Sequence, residues 1–305
     1  MNIPNETYIE ITGSIRSEAA RILAEGLVTA VIGYAAGRRK GAVQPIIITR
    51  SEDSDKLLFS PACVNNLAVY LTKAKKDVPK TGRIGVLLKG CDLKAVVGLM
   101  GESQLKREDL YIIGIPCPGV LASVVNPATE LTDETVASKC TECTDRIPQG
   151  VDFLPQLQLA AMEGLEKRYT AEIARLEAMT PSERWEYWKE QFSRCIKCYA
   201  CRQVCPFCFC EQCLCDRNRP QLVEQSPRPS GNFAWHIMRA MHLAGRCAGC
   251  AECERACPMD IPLNLLNRKM ARELKELYDY EAGFDVRKSG PLNSYNEKDD
   301  QSFIR

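Results

Sequence analysis

The spacing of its cysteines constrains this chain more than any other feature. From Cys195 to Cys215 it reads CIKCYACRQVCPFCFCEQCLC, eight cysteines in 21 residues. Cys195, Cys198, Cys201 and Cys205 follow the spacing C-x-x-C-x-x-C-x-x-x-C, closed by Pro206. Cys247, Cys250, Cys253 and Cys257 repeat it, closed by Pro258. Three closely spaced thiolates can wrap three corners of an iron–sulfur cubane, while the fourth ligates a neighbouring cluster. The spacing therefore assigns Cys195, Cys198, Cys201 and Cys257 to one 4Fe–4S cluster, and Cys247, Cys250, Cys253 and Cys205 to a second. Zinc sites ordinarily use two C-x-x-C pairs, not two full sets of four ending in Cys-Pro. Cys201-x-x-x-Cys205-x-x-Cys208 also has the spacing of the radical S-adenosylmethionine signature, but two of its members already belong to the tandem motif.

The chain has 305 residues and 17 cysteines. A chain of this length that carries no secretory pattern is expected to keep its thiols reduced, as metal ligands or redox groups. MNIPNETYIE has neither a basic segment nor an apolar one, so no signal peptide is expected. The longest apolar runs, LVTAVIGYAA and IIGIPCPGVLASVV, fall short of the roughly 18–20 residues of a membrane span. A cytoplasmic protein without direct membrane insertion is the expectation. Net charge is +1, which offers no field for nucleic acid.

The first 130 residues alternate helical and strand patterns: helix over 17–34, strand in AVQPIIITR, helix over 61–75, strand in RIGVLL, helix in LKAVVGLM with Asp92 as N-cap, and strand in LYIIGI. Such alternation predicts α/β architecture with a parallel sheet. Later segments read as helices: LQLAAMEGLEKRYTAEIARLEAM; a run opened by the capping box Thr180, Pro181 and Glu183; FAWHIMRAMHLAGR, closed by Gly245; and PLNLLNRKMARELKELYDY. The expected organisation is an α/β domain over 1–150, a helical linker over 151–193, a helical two-cluster ferredoxin module over 194–284 and a polar tail over 285–305.

Cys91 and Cys117 each follow a predicted strand, at the carboxyl edge where open α/β sheets bind ligands. Cys140 and Cys143 form a C-x-x-C in the next loop. Four thiolates could meet there to hold a third 4Fe–4S cluster; the plainer alternative makes Cys91 and Cys117 small buried apolar residues.

Five cysteines are left over. Cys63 is expected to serve packing. Cys208, Cys210, Cys213 and Cys215 form C-x-C-x-x-C-x-C, read equally as an extra metal site and as free thiols. His236 and His242, six apart, do not share a helix face and are expected in the core or at its boundary. Arg194, Lys197, Arg202, Arg246 and Arg255 flank the motifs. They are either solvated surface or charge compensation for anionic clusters.

LAEGLVTAVIGYAAG, LLFSPACVNNL, GRIGVLLKGCDLKAVV, LYIIGIPCPG and KCTECTD together resemble the β subunits of coenzyme-F420-reducing hydrogenase and of formate dehydrogenase. The C-terminal two-cluster module is similar to the formate dehydrogenase arrangement. The resemblance implies that Cys91, Cys117, Cys140 and Cys143 ligate one cubane, and that FAD could lie near Gly26 and Ser60. The chain departs from the family where Ala24-Glu25-Gly26 replaces an Asp-Gly-Gly and Cys91-Asp92 a Cys-Gln. No G-x-G-x-x-G fingerprint supports a nicotinamide site. The expected function is electron relay within an anaerobic oxidoreductase complex. It would link a catalytic subunit, of formate dehydrogenase or hydrogenase type, to a second redox subunit carrying flavin or resembling heterodisulfide reductase. The alternative is an FAD-containing subunit that itself reduces or oxidises F420 or another soluble carrier.

Overall fold

The computed structural model describes residues 5–72, 82–123, 130–159, 164–288, 290–294 and 297. Its centre is a four-stranded sheet in the order β2-β1-β3-β4. β1 (Ala30–Ala36), β3 (Ile84–Leu88) and β4 (Leu110–Gly114) run parallel, and β2 (Val43–Ile48) joins the edge antiparallel to β1. β3 and β4 are buried throughout, which explains their unbroken apolar sequences. α1 (Asn5–Ala24) packs Ile11, Ile15, Ala19 and Ile22 into this core. α2 (Gly90–Gly101) leaves the carboxyl end of β3 and buries Ala95, Val96 and Leu99.

The α/β class holds, but several elements differ from expectation. The helix expected over 17–34 is two elements. α1 stops at Ala24, Gly26 takes φ +66° as the chain turns, and β1 follows. A fully buried strand and a buried helix segment share the same apolar run, and spacing cannot separate them. The helix expected over 61–75 is a single tight turn, Leu67–Leu71, whose Asn66 side chain accepts from the Ala68 amide; residues 73–75 lie outside the described residues. Asp92 is not the N-cap of α2 but its third residue, its carboxylate accepting from the Lys89 amide at 3.3 Å.

Past the sheet, α3 (Ser138–Thr141) carries the C-x-x-C loop. The long helix expected from LQLAAMEG onward is confined to α4 (Arg168–Glu177); Gly164 has φ +76°, and residues 160–163 lie outside the described set. α5 (Pro181–Ser193) begins at the expected capping box, with Thr180 and Glu183 exchanging bonds. Four helices follow: α6 (Ala200–Gln203), α7 (Pro229–Leu243), α8 (Glu252–Arg255) and α9 (Leu263–Tyr278). The two halves share apolar contacts, since Phe207 and Leu243 belong to the core cluster built on the sheet. Phe207 lies so close to Gly98 on α2 that an added Cβ would come within 2.8 Å of its ring.

Candidate metal centres

The sheet edge brings three separated segments together. Cys91 lies in the first turn of α2, and Cys117 follows β4. The loop after α3 is stitched across both. The Cys117 amide donates to the Arg146 carbonyl at 2.8 Å, and the Gly114 amide donates to the Phe153 carbonyl at 2.8 Å. Gly90 is required here: a Cβ would sit 1.6 Å from the Asp145 carbonyl oxygen. Cys91, Cys117, Cys140 and Cys143 then line one cavity of about 340 Å³. Burial raises all three thiols for which a shift is resolved: Cys91 well up, Cys117 to about 12, and Cys143 upward. Four bare thiolates would be costly in such a place, and iron that takes them as ligands must displace their protons.

The tandem motifs build two further cavities by one repeated device. Lys197 (φ +54°) and Gly249 (φ +66°) occupy matching positions, as do Tyr199 (φ +58°) and Ala251 (φ +57°). The Lys197 amide donates to the Cys195 sulfur at 3.4 Å, and the Gly249 amide to the Cys247 sulfur at 3.4 Å. Tyr199 and Ala251 then cap the short helices α6 and α8. Left-handed backbone at three non-glycine residues is unfavourable and persists where the surroundings enforce it. Cys195, Cys198, Cys201 and Cys257 line the first cavity. Cys205, Cys247, Cys250 and Cys253 line the second. Each motif thus surrenders its fourth cysteine to the other set.

Buried polar atoms around these cavities suit an anionic occupant. Trp235 Nε1 and His236 Nε2, beside the first, and Arg239 Nε, beside the second, have no hydrogen-bond partner among the described residues. Among the described residues no three His, Cys, Asp or Glu side chains close around a single metal ion. A cubane is a cage, and it spreads its ligands further apart than one ion does. The four-cysteine sets fit such a group.

Not every expected residue joins a site. Gly26 turns the chain before β1, whereas Ser60 lies near the strand's far end, where the Leu58 amide donates to the Tyr34 carbonyl. Gly26 and Ser60 thus lie at different levels along β1, and neither lines one of the three cysteine cavities. Cys63 is buried, with the Ser60 amide donating to its sulfur at 3.2 Å. Cys208 lies beside Cys205 and Arg239. Cys215 is buried beside Cys213, while Cys210 is exposed. His236 stacks on Phe192 with centroids 4.6 Å apart, and burial lowers its pKa to about 3; His242 is exposed.

The cations nearest the cavities are mostly not the five singled out by sequence. Arg202 pairs with Asp216, Arg246 with Glu102 at 2.6 Å and Arg255 with Glu252 at 2.8 Å, while Arg194 donates to Gln191. Lys197 does lie beside Cys195, over the Trp235 ring. The buried ones that were missed are Lys89, Lys139 and Arg239. Lys89 donates to Asp92 at 2.8 Å, to the Asn65 carbonyl at 2.8 Å and to the Tyr34 hydroxyl. Its neighbour Cys91 was the available signal for Lys89, and Cys140 for Lys139; Arg239 lies far from any cysteine in sequence and offered none.

Two curated proteins resemble the chain over most of its length. The F420-dependent formate dehydrogenase subunit beta of Methanocaldococcus jannaschii is 24% identical across 90% of this chain and 93% of its own. The F420-dependent formate dehydrogenase 1 subunit beta of Methanococcus maripaludis is 22% identical across 90% and 92%. A solved structure, the xenon-derivatised F420-reducing [NiFe] hydrogenase complex from Methanosarcina barkeri, overlaps 35% of this chain and 38% of its own. Its identity is 18% and its TM-score 0.30, too slight an overlap to carry an argument. No family model matches the chain.

Proposed function

We propose that this chain, a relative of F420-dependent formate dehydrogenase β subunits along nine-tenths of its length, is the electron-transfer subunit of an anaerobic cytoplasmic oxidoreductase complex. The observation that carries this reading is that each of the three four-cysteine sets lines its own cavity. When bound, a 4Fe–4S cluster supplies one-electron storage. The chain's own residues arrange the three sites in series. Cys247 lines both the sheet-edge cavity and the second one. Arg239 joins the second to the first, lining the former and donating to the Cys201 carbonyl of the latter at 3.2 Å. At the far end Cys198 is exposed, and Ile196 beside it is 58% exposed, a natural contact for a partner. A catalytic subunit, of formate dehydrogenase or hydrogenase type, would meet one end, and a flavin-bearing or heterodisulfide-reductase-like subunit the other. Protein purified without oxygen is expected to carry about 12 iron atoms per chain, four for each of three cubanes. About 8, unchanged in Cys91→Ala, would remove the sheet-edge site. Anaerobic purification of the native complex with identification of its subunits tests the partners.

A second reading is favoured by the size of the sheet-edge cavity, which also reaches Lys94, Arg146, Arg268 and Arg272. Such a basic extension could admit FAD beside the cysteines, and the subunit would then itself exchange electrons with F420 or another soluble carrier. Stoichiometric flavin released by heat, together with F420 reduction by the isolated chain, would select this reading over pure relay.

A further inference from the structure

We propose that the second cysteine set (Cys205, Cys247, Cys250 and Cys253) is the electron well of the chain, because a buried cation stands in each gap between it and a neighbouring set: Lys139 on the sheet-edge side and Arg239 on the other. The inference rests on the cluster reading above.

Arg239 is 6% exposed on α7. It lines the second cavity while its Nη2 donates to the carbonyl of Cys201, a member of the first set. Among the described residues no carboxylate pairs with it, and the charged or ionisable groups around it are thiols, Cys208 among them. Lys139 is 9% exposed and lines the sheet-edge cavity beside Cys140. Its Nζ donates to the Cys250 carbonyl at 2.9 Å and to the Val64 carbonyl at 3.2 Å. The carboxylate paired with it, Glu252, stands 4.0 Å away and is already held by Arg255 at 2.9 and 2.8 Å.

A buried cation without its own counter-ion is costly unless something else balances it. Here the balancing group is the negative charge of thiolate-bound iron. Each added electron makes a cluster more negative, so a nearby cation favours the reduced form and raises the potential. The second set meets both bridging cations, and each outer set meets one. The other cations at the sites are paired or less buried. Lys89 is bound by Asp92, Lys94 by Asp145 at 2.7 Å, Arg268 by Glu142 at 3.3 Å and Arg272 by Glu177, while Arg146, which donates to the Cys117 and Pro118 carbonyls at 3.4 Å, and Lys197 are only partly buried.

The test is an anaerobic dithionite titration of the full chain, followed by electron paramagnetic resonance. Iron is counted first: about 12 per chain supports the cluster reading independently of any potential. One signal should be reduced ahead of the other two. Arg239→Met should move that signal and one other to lower potential; Lys139→Met should move the same signal and the third. The double variant should displace the first-reduced signal by both steps and each of the others by one. Arg239→Lys and Lys139→Arg, which keep the charge, should restore the order. If Arg239→Met fails to retain iron, Arg239→Gln keeps a side-chain donor, drops the charge and gives the same reading. Signals that stay in place at full iron content would overturn the proposal. So would two variants that share no shifted signal, or share one that is not reduced first.

Discussion

The tandem motifs and the sheet edge each gather four cysteines, but they do so by opposite means. In the tandem motifs three ligands of each set lie within seven residues, and two left-handed residues per motif shape the turn. At the sheet edge the four come from three segments spread over 53 residues, from Cys91 to Cys143, held by β3, β4 and one loop. A locally encoded site should tolerate changes in its scaffold, whereas an assembled site should fail with it.

The sharpest way to separate them is Gly90→Ala. The new methyl would collide with the Asp145 carbonyl and push the C-x-x-C loop off Cys91. We expect iron to fall from about 12 to about 8 per chain, with the signals of the tandem sites retained. Loss of all iron would show that the sites are not independent.

Next is Lys89→Met, which takes the ion-pair partner from Asp92, a carboxyl group at 0% exposure behind the sheet-edge site. Removing one partner of a buried pair costs about 3–5 kcal/mol, readable as a fall in the urea midpoint. Lys197→Met, beside the first tandem set but only partly buried, should cost well under half as much.

Phe207→Ala probes the seam between the regions. The ring is 5% exposed against Gly98, and its loss should cost about 3 kcal/mol in chemical denaturation. If the sheet edge alone weakens, hydrogen exchange in α2 should rise while that in α7 stays put. The smallest effect is expected at the start of α5, far from any site: Thr180→Ala removes the cap and should cost about 1 kcal/mol.

The same contrast explains what the sequence disclosed. The tandem sets are legible because their ligands are written as spacing, and each predicted quartet lines its own cavity. The sheet-edge quartet was legible only through its strands, since a cysteine after a buried strand must emerge at the carboxyl edge. β3 and β4 announced themselves by continuous apolar runs bounded by turns, whereas β1 hid behind α1 because AVIGYAA continues its apolar pattern. Arg239 could not be read at all, and Lys139 only through the Cys140 beside it. Nothing in a sequence says that a basic residue on a helix will turn inward until the anionic site it faces is known.

Among the twelve assigned ligands Cys198 alone is exposed. Oxidation of cysteine follows exposure and thiolate character. In air, corrosion should therefore begin at this terminal, and iron should leave the first tandem set while the other two still hold theirs. The exposed end proposed for a partner is also the place where the chain would rust.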